Sequence, residues 1–114
     1  MRVRRQVSPI VAITQNENES LAIEEGLNLI NFSSMIRQDD VVVITPNWVG
    51  PATPESGRVV GPQSLQKLIQ LVKATHPKRI VVATGPGQED VQGLMEQVGF
   101  LQVIEEEQVE FINL

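Results

Sequence analysis

The chain has 114 residues, 41% of them hydrophobic, which suits one globular domain with a core of its own. With 20% charged residues and a net charge of -5, it lacks the clustered Lys and Arg that phosphate neutralisation requires, so no nucleic-acid partner is expected. It contains no cysteine, which excludes disulfides, thiol nucleophiles and cysteine-ligated clusters from this segment, and a single histidine, His76, makes no zinc site by itself.

Arg2, Arg4 and Arg5 read as a solvated chain end rather than a nucleic-acid arm. No apolar run is long enough to span a bilayer, and the N-terminus lacks the apolar stretch of a signal peptide. A cytoplasmic protein without membrane contact is the expectation.

Residues 9–13, Pro-Ile-Val-Ala-Ile, form a short β-branched run of the kind found in strands buried on both faces, and predict a first strand. Asn16 or Asn18 then caps a helix with Ala22, Ile23, Leu27 and Ile30 at helical spacing, ending near Phe32 to Ser34. Gln38-Asp39-Asp40 turns the chain into Val41-Val42-Val43-Ile44, the strongest strand signal present. Between Thr45 and Pro62 stand Pro46, Gly50, Pro51, Pro54, Gly57 and Gly61, which predict a long loop.

Pro62 opens a second helix with Leu65, Leu68, Ile69 and Val72 on one stripe, stopped by Pro77, with His76 complementing its C-terminal dipole. Ile80-Val81-Val82-Ala83 is a third buried strand, Thr84-Gly85-Pro86-Gly87 a turn, and Val91, Leu94, Met95 and Val98 a third helix stopped by Gly99. Residues 100–108 suit a short helix or a strand, with the helix favoured, and residues 109–114 alternate as a fourth strand. Strands separated by helices imply a mostly parallel four-stranded sheet with helices on both faces, a three-layer, Rossmann-like α/β domain in which the first strand lies between the second and third.

Open parallel sheets bind ligands beyond the carboxyl ends of their strands. Asn16, Thr45, Asn47, Trp48, Thr84, Gly85 and Gly87 fall there and are the candidate ligand-binding residues. Gly85 and Gly87 could offer backbone amides to an anion, although Glu89 and Asp90 would compete for the same helix start. Asn47 could orient a ligand and Trp48 stack on one, or the pair could be turn chemistry and a capping aromatic. Glu55, Ser56 and Arg58 form no dyad or triad, and no catalytic residue, metal ligand or cofactor is assigned.

In order and spacing, Thr45-Pro46-Asn47-Trp48-Val49, Pro54-Glu55-Ser56-Gly57, Gly61-Pro62, Thr84-Gly85-Pro86-Gly87 and residues 109–114 together resemble the family called domain of unknown function 362. The resemblance runs from about Val11 onward. It implies a lysine where Thr45 stands and an aspartate where Gly61 stands, residues readily assigned to binding or catalysis, so this member departs from the pattern at two informative positions. It further implies that the chain is the N-terminal half of a larger family domain, whose parent protein can carry an iron–sulfur module elsewhere. A looser likeness, of architecture and Pro-rich loop alone, links it to the N-terminal domain of nickel-pincer lactate racemases, whose cofactor site needs further lysines and histidines.

Two functions follow as expectations: a domain binding a small molecule or anion at the strand ends, or a non-catalytic scaffold or interaction module of an iron–sulfur-associated redox protein. A homo-oligomer is expected, burying part of residues 109–114, whose Val109 and Phe111, with Leu114 as a further candidate, share a face, or a neighbouring helix.

Overall fold

The computed structural model describes residues 9–50, 52–87 and 90–114. The arginines at positions 2, 4 and 5, with Pro51, Gln88 and Glu89, lie outside them.

Helix α1 spans Glu19–Leu29, and its N-cap is Asn18, whose side chain accepts from the Leu21 amide at 3.2 Å. Asn16 instead accepts from the Asn18 amide at 2.9 Å, in the local turn that Asn side chains favour. A 3₁₀ turn at Phe32–Met35 leads to strand β1, Val41–Ile44. After the long loop come helix α2 (Pro62–Lys73), strand β2 (Arg79–Thr84), helices α3 (Val91–Val98) and α4 (Phe100–Glu107), and strand β3 (Glu110–Asn113). Gly99 ends α3 at φ +83°, where a side chain would be strained and would meet the Pro62 ring at 3.0 Å.

The sheet is parallel and its order is β1-β2-β3, with Val41 opposite Arg79 and Val81 opposite Glu110. The fold is therefore α/β as expected, with three strands rather than four among the described residues. Residues 9–13 form no strand, and Ile10, Val11 and Ile13 are 58%, 86% and 88% exposed. The place between the second and third predicted strands is filled, because these two pair directly as β1 and β2. Side-chain bonds tie the early segment to α1 instead: Thr14 Oγ1 donates to the Ala22 carbonyl at 2.9 Å and Asn16 Nδ2 to Glu25 at 3.3 Å.

Side chains alternate across a strand, so register assigns each residue to a face. Val42 and Ile44 of β1, Ile80 and Val82 of β2 and Phe111 of β3 belong to the main core, where Leu65, Ile69 and Val72 of α2, Leu94, Met95 and Val98 of α3 and Phe100 and Val103 of α4 meet them. Helix α1 packs on α2, and none of its residues is buried. The opposite face carries Val41, Val43 and Ile112, which are exposed, and Val81 and Ala83, which are buried but lie outside that cluster. Among the described residues the helices thus gather on one face of the sheet and make two layers with it where three were expected. Val109 and Phe111 pack against the core, so the face expected to drive association is the covered one.

A polar seam locks α2 to the end of α4. Gln70 Nε2 donates to Glu107 Oε2 at 3.2 Å, Gln66 Nε2 to Glu106 at 2.9 Å, and Lys73 Nζ donates to the Glu107 backbone carbonyl and lies 3.4 Å from its carboxylate.

Candidate functional site

Parallel pairing sends β1 and β2 out of the sheet at the same end, so the segments that follow them meet. Thr84 Oγ1 donates to the Pro46 carbonyl at 2.9 Å, and the Gly50 amide donates to the Pro86 carbonyl at 3.3 Å. Beside β2, the Leu114 amide donates to the Thr84 carbonyl at 3.2 Å. Gly85 is held so close that a Cβ there would stand 2.8 Å from the Leu114 carbonyl oxygen and 2.9 Å from Asn113 Oδ1, so the position admits no side chain. Gly87 follows at φ +73°.

The result is a cleft of about 440 Å³ lined by Thr45, Pro46, Asn47, Trp48, Thr84, Gly85, Gly87 and Leu114. Six of the seven candidate residues line this one cleft. Asn16 does not; it sits ahead of α1, bonded to Asn18 and Glu25.

Like Thr84 and Gly85, Asn47 and Trp48 are also committed to structure. Asn47 Nδ2 donates to the Arg58 carbonyl at 2.9 Å and the Val60 amide donates to the Asn47 carbonyl at 2.9 Å, while Trp48 bridges Val59 in antiparallel fashion. The return of the loop is thereby stitched to the strand exit. Trp48 is 4% exposed, and its ring stands edge-on to Phe100 with centroids 5.5 Å apart. It plugs the core beneath the cleft rather than offering a free face for stacking. Its indole N–H is buried without a hydrogen-bond partner among the described residues.

The rest of the loop bonds to itself. Ser56 Oγ donates to the Thr53 carbonyl at 2.6 Å and accepts from the Arg58 amide at 3.2 Å. The Glu55 carboxyl is held below its ordinary range by its own backbone amide and by Thr53. Among the described residues, no three His, Asp or Glu side chains gather as a metal site, and no helix is long and apolar enough to cross a membrane.

Sequence reasoning missed one carboxylate. Gly61 is the N-cap of α2 and offers no side chain, yet Glu19 of α1 reaches across and accepts from the Ser64 amide at 3.3 Å. A Cβ on Gly61 would fall 2.2 Å from Glu19 Oε2. The carboxylate of Glu19 thus occupies the space that an aspartate at position 61 would fill, and α2 has its cap from another helix. The signal lay in a glycine standing where a capping residue belongs.

A parallel sheet packed by helices, with a cleft where its strands end, defines the class: an α/β domain. Within that class, the model of the family described as Domain of unknown function (DUF362) matches residues 42–114, and the chain belongs to this family. The matched region contains every segment on which the resemblance rested and both departures, Thr45 and Gly61. No curated protein and no solved structure matches the chain.

Proposed function

We propose that the domain binds a small polar molecule in the cleft between the Thr45-to-Trp48 and Thr84-to-Gly87 segments. One observation carries the reading: two parallel strand exits converge on one cleft of about 440 Å³, the location at which open parallel sheets take their ligands. The groups available are neutral. Thr45 brings a hydroxyl, Asn47 an amide oxygen left over from its bond to Arg58, and no Lys or Arg is among the lining residues.

This favours a hydrogen-bonded neutral ligand over an anion. The anion reading loses further support at α3, whose first turn already accepts a carboxylate: Asp90 Oδ1 takes the Gly93 amide at 3.0 Å. With Thr45 in place of a lysine, the ion-pairing chemistry that a cation would bring to this cleft is absent from the strand exit. The other reading, an interaction module of an iron–sulfur-associated redox protein, draws its support from the exposed apolar side chains of Val41, Val43 and Ile112.

Titration of ¹⁵N-labelled protein with a library of small polar metabolites tests the binding reading. Binding should move the amides of Thr45, Gly85 and Gly87 and the signal of the single indole N–H. Shifts confined to other surfaces, or no shift at millimolar ligand, would overturn it.

A further inference from the structure

We propose that the molecule held at the strand exits is a neutral amphiphile, whose apolar body fills a second chamber behind the Thr45-to-Asn47 segment while its polar end stays at the mouth. The inference rests on the cleft reading for that polar end and adds the ligand's other half. The chamber, of about 590 Å³, lies between α1, β1 and α2 and shares Thr45, Pro46 and Asn47 with the cleft. Its size is that of ordinary small-molecule sites.

Polar and apolar walls separate along the chamber. In a crossover between parallel strands the helix runs back along the sheet, so the exit of β1 and the first turn of α2 come to the same end. Thr45, Asn47 and Ser64 line that end. The remaining wall is apolar, with Ile23, Phe32, Val42, Leu68 and Val72 in it, and no charged side chain lines the chamber. An ionised head would lose its water here without gaining a partner, so the head is a hydroxyl, amide or carbonyl.

Ser64 is the independent sign of a ligand. It is 8% exposed, its backbone amide is taken by Glu19 at 3.3 Å, and its hydroxyl has no hydrogen-bond partner among the described residues. Among those residues the Trp48 indole nitrogen alone is both sealed and unpartnered, so the Ser64 hydroxyl keeps an opening, and Ser64 lines the chamber. Buried hydroxyls ordinarily find a partner. The polar end of a ligand seated in the chamber supplies one.

Titration of ¹⁵N-labelled protein with butanamide, pentanamide and hexanamide tests this, because the head is constant and only the chain grows. Affinity should rise about fourfold for each methylene buried, with shifts spreading from Thr45 to Ile23, Phe32 and Leu68. Leu68→Trp narrows the chamber and should reduce that gain to less than about twofold per methylene. Ser64→Ala removes the hydroxyl but keeps the backbone amide that caps α2, and should weaken all three ligands by about twofold to tenfold with the gain preserved. Circular dichroism verifies that each variant is folded. Equal affinities along the series with shifts at Gly85 and Gly87 alone would overturn this proposal and leave the cleft reading standing. Shifts at Ile23, Phe32 and Leu68 that grow with chain length while Gly85 and Gly87 stay still would uphold the chamber and overturn the cleft. No shift at the solubility limit would overturn both. Amides of residues 10–13 protected from exchange in the free protein would put that segment in the chamber and would likewise overturn the proposal.

Discussion

Val42 and Val43 are neighbours in one strand, yet they live on opposite sides of the sheet. Val42 packs toward α2 and the main core with Ile44, Ile80, Val82 and Phe111, while Val43 shares the opposite face with Val41 and Ile112, which are exposed, and with Val81 and Ala83, which are buried. Both faces are built on apolar residues, and the second adds Arg79 and Glu110 at one end. A parallel strand is apolar on both sides whether or not both are covered, so the strands do not encode the number of layers. The helices do: α2, α3 and α4 each present one buried stripe, and these stripes meet in a single cluster over a single face.

The comparison is broken most severely from the covered side. Trp48→Ala removes the plug against Phe100 and should cost about 3–5 kcal/mol, read from urea or thermal melts. A cost below about 0.5 kcal/mol, the ordinary range for surface changes, would mean that the indole is not part of the core.

A smaller effect is expected where helix meets helix. Glu19→Ala uncaps α2 and should destabilise by about 0.5–2 kcal/mol, and Gly61→Asp in that background should restore most of the loss by supplying the carboxylate from its own helix. In the wild-type background the same Gly61→Asp should bring no gain, since two carboxylates would compete for one space. Equal effects of Gly61→Asp in both backgrounds would show that the two positions are uncoupled.

The seam between α2 and α4 makes the covered side sensitive to acid. Burial pushes the Glu107 carboxyl up, but hydrogen bonds from Gln70, Gln66 and Lys73, with the Lys73 charge, outweigh it and hold the group below the usual carboxylate range. A carboxyl whose folded pKa lies below its unfolded one stabilises the fold fully above the unfolded pKa, about 4.3, and loses that contribution as pH falls through the folded pKa. Stability should therefore drop as pH falls below the unfolded value, about 4.3, and through the lower folded one, and Glu107→Gln should flatten the drop. An unchanged pH profile in this variant would assign the acid sensitivity to other carboxylates.

Much of the fold is legible in the order of residues alone. Helices are written in the spacing of Leu65, Ile69 and Val72, and strand exits in Thr45 and Thr84, because periodicity and turn chemistry are local properties. The exception is residues 9–13, whose β-branched run is indistinguishable from a buried strand by composition, and pairing is a property of the partner. In the cleft, the convergence of two strand ends follows from parallel topology. The burial of Trp48 does not, because it depends on a bridge to Val59 eleven residues away that no local pattern announces.

The smallest expected effect is also the sharpest contrast between the faces. Val→Thr keeps shape and β-branching while adding a hydroxyl, so at positions 42 and 43 it asks one question of two adjacent sites. On the covered side, Val42→Thr turns a hydroxyl toward apolar neighbours at a half-buried position and should cost about 1 kcal/mol, the low end of the penalty for an uncompensated polar group. On the bare side, Val43→Thr leaves its hydroxyl in water and should change stability by no more than about 0.5 kcal/mol in dilute solution. Both values come from urea midpoints. Comparable costs at the two positions would mean that residue 43 is as well covered as residue 42, against its 58% exposure.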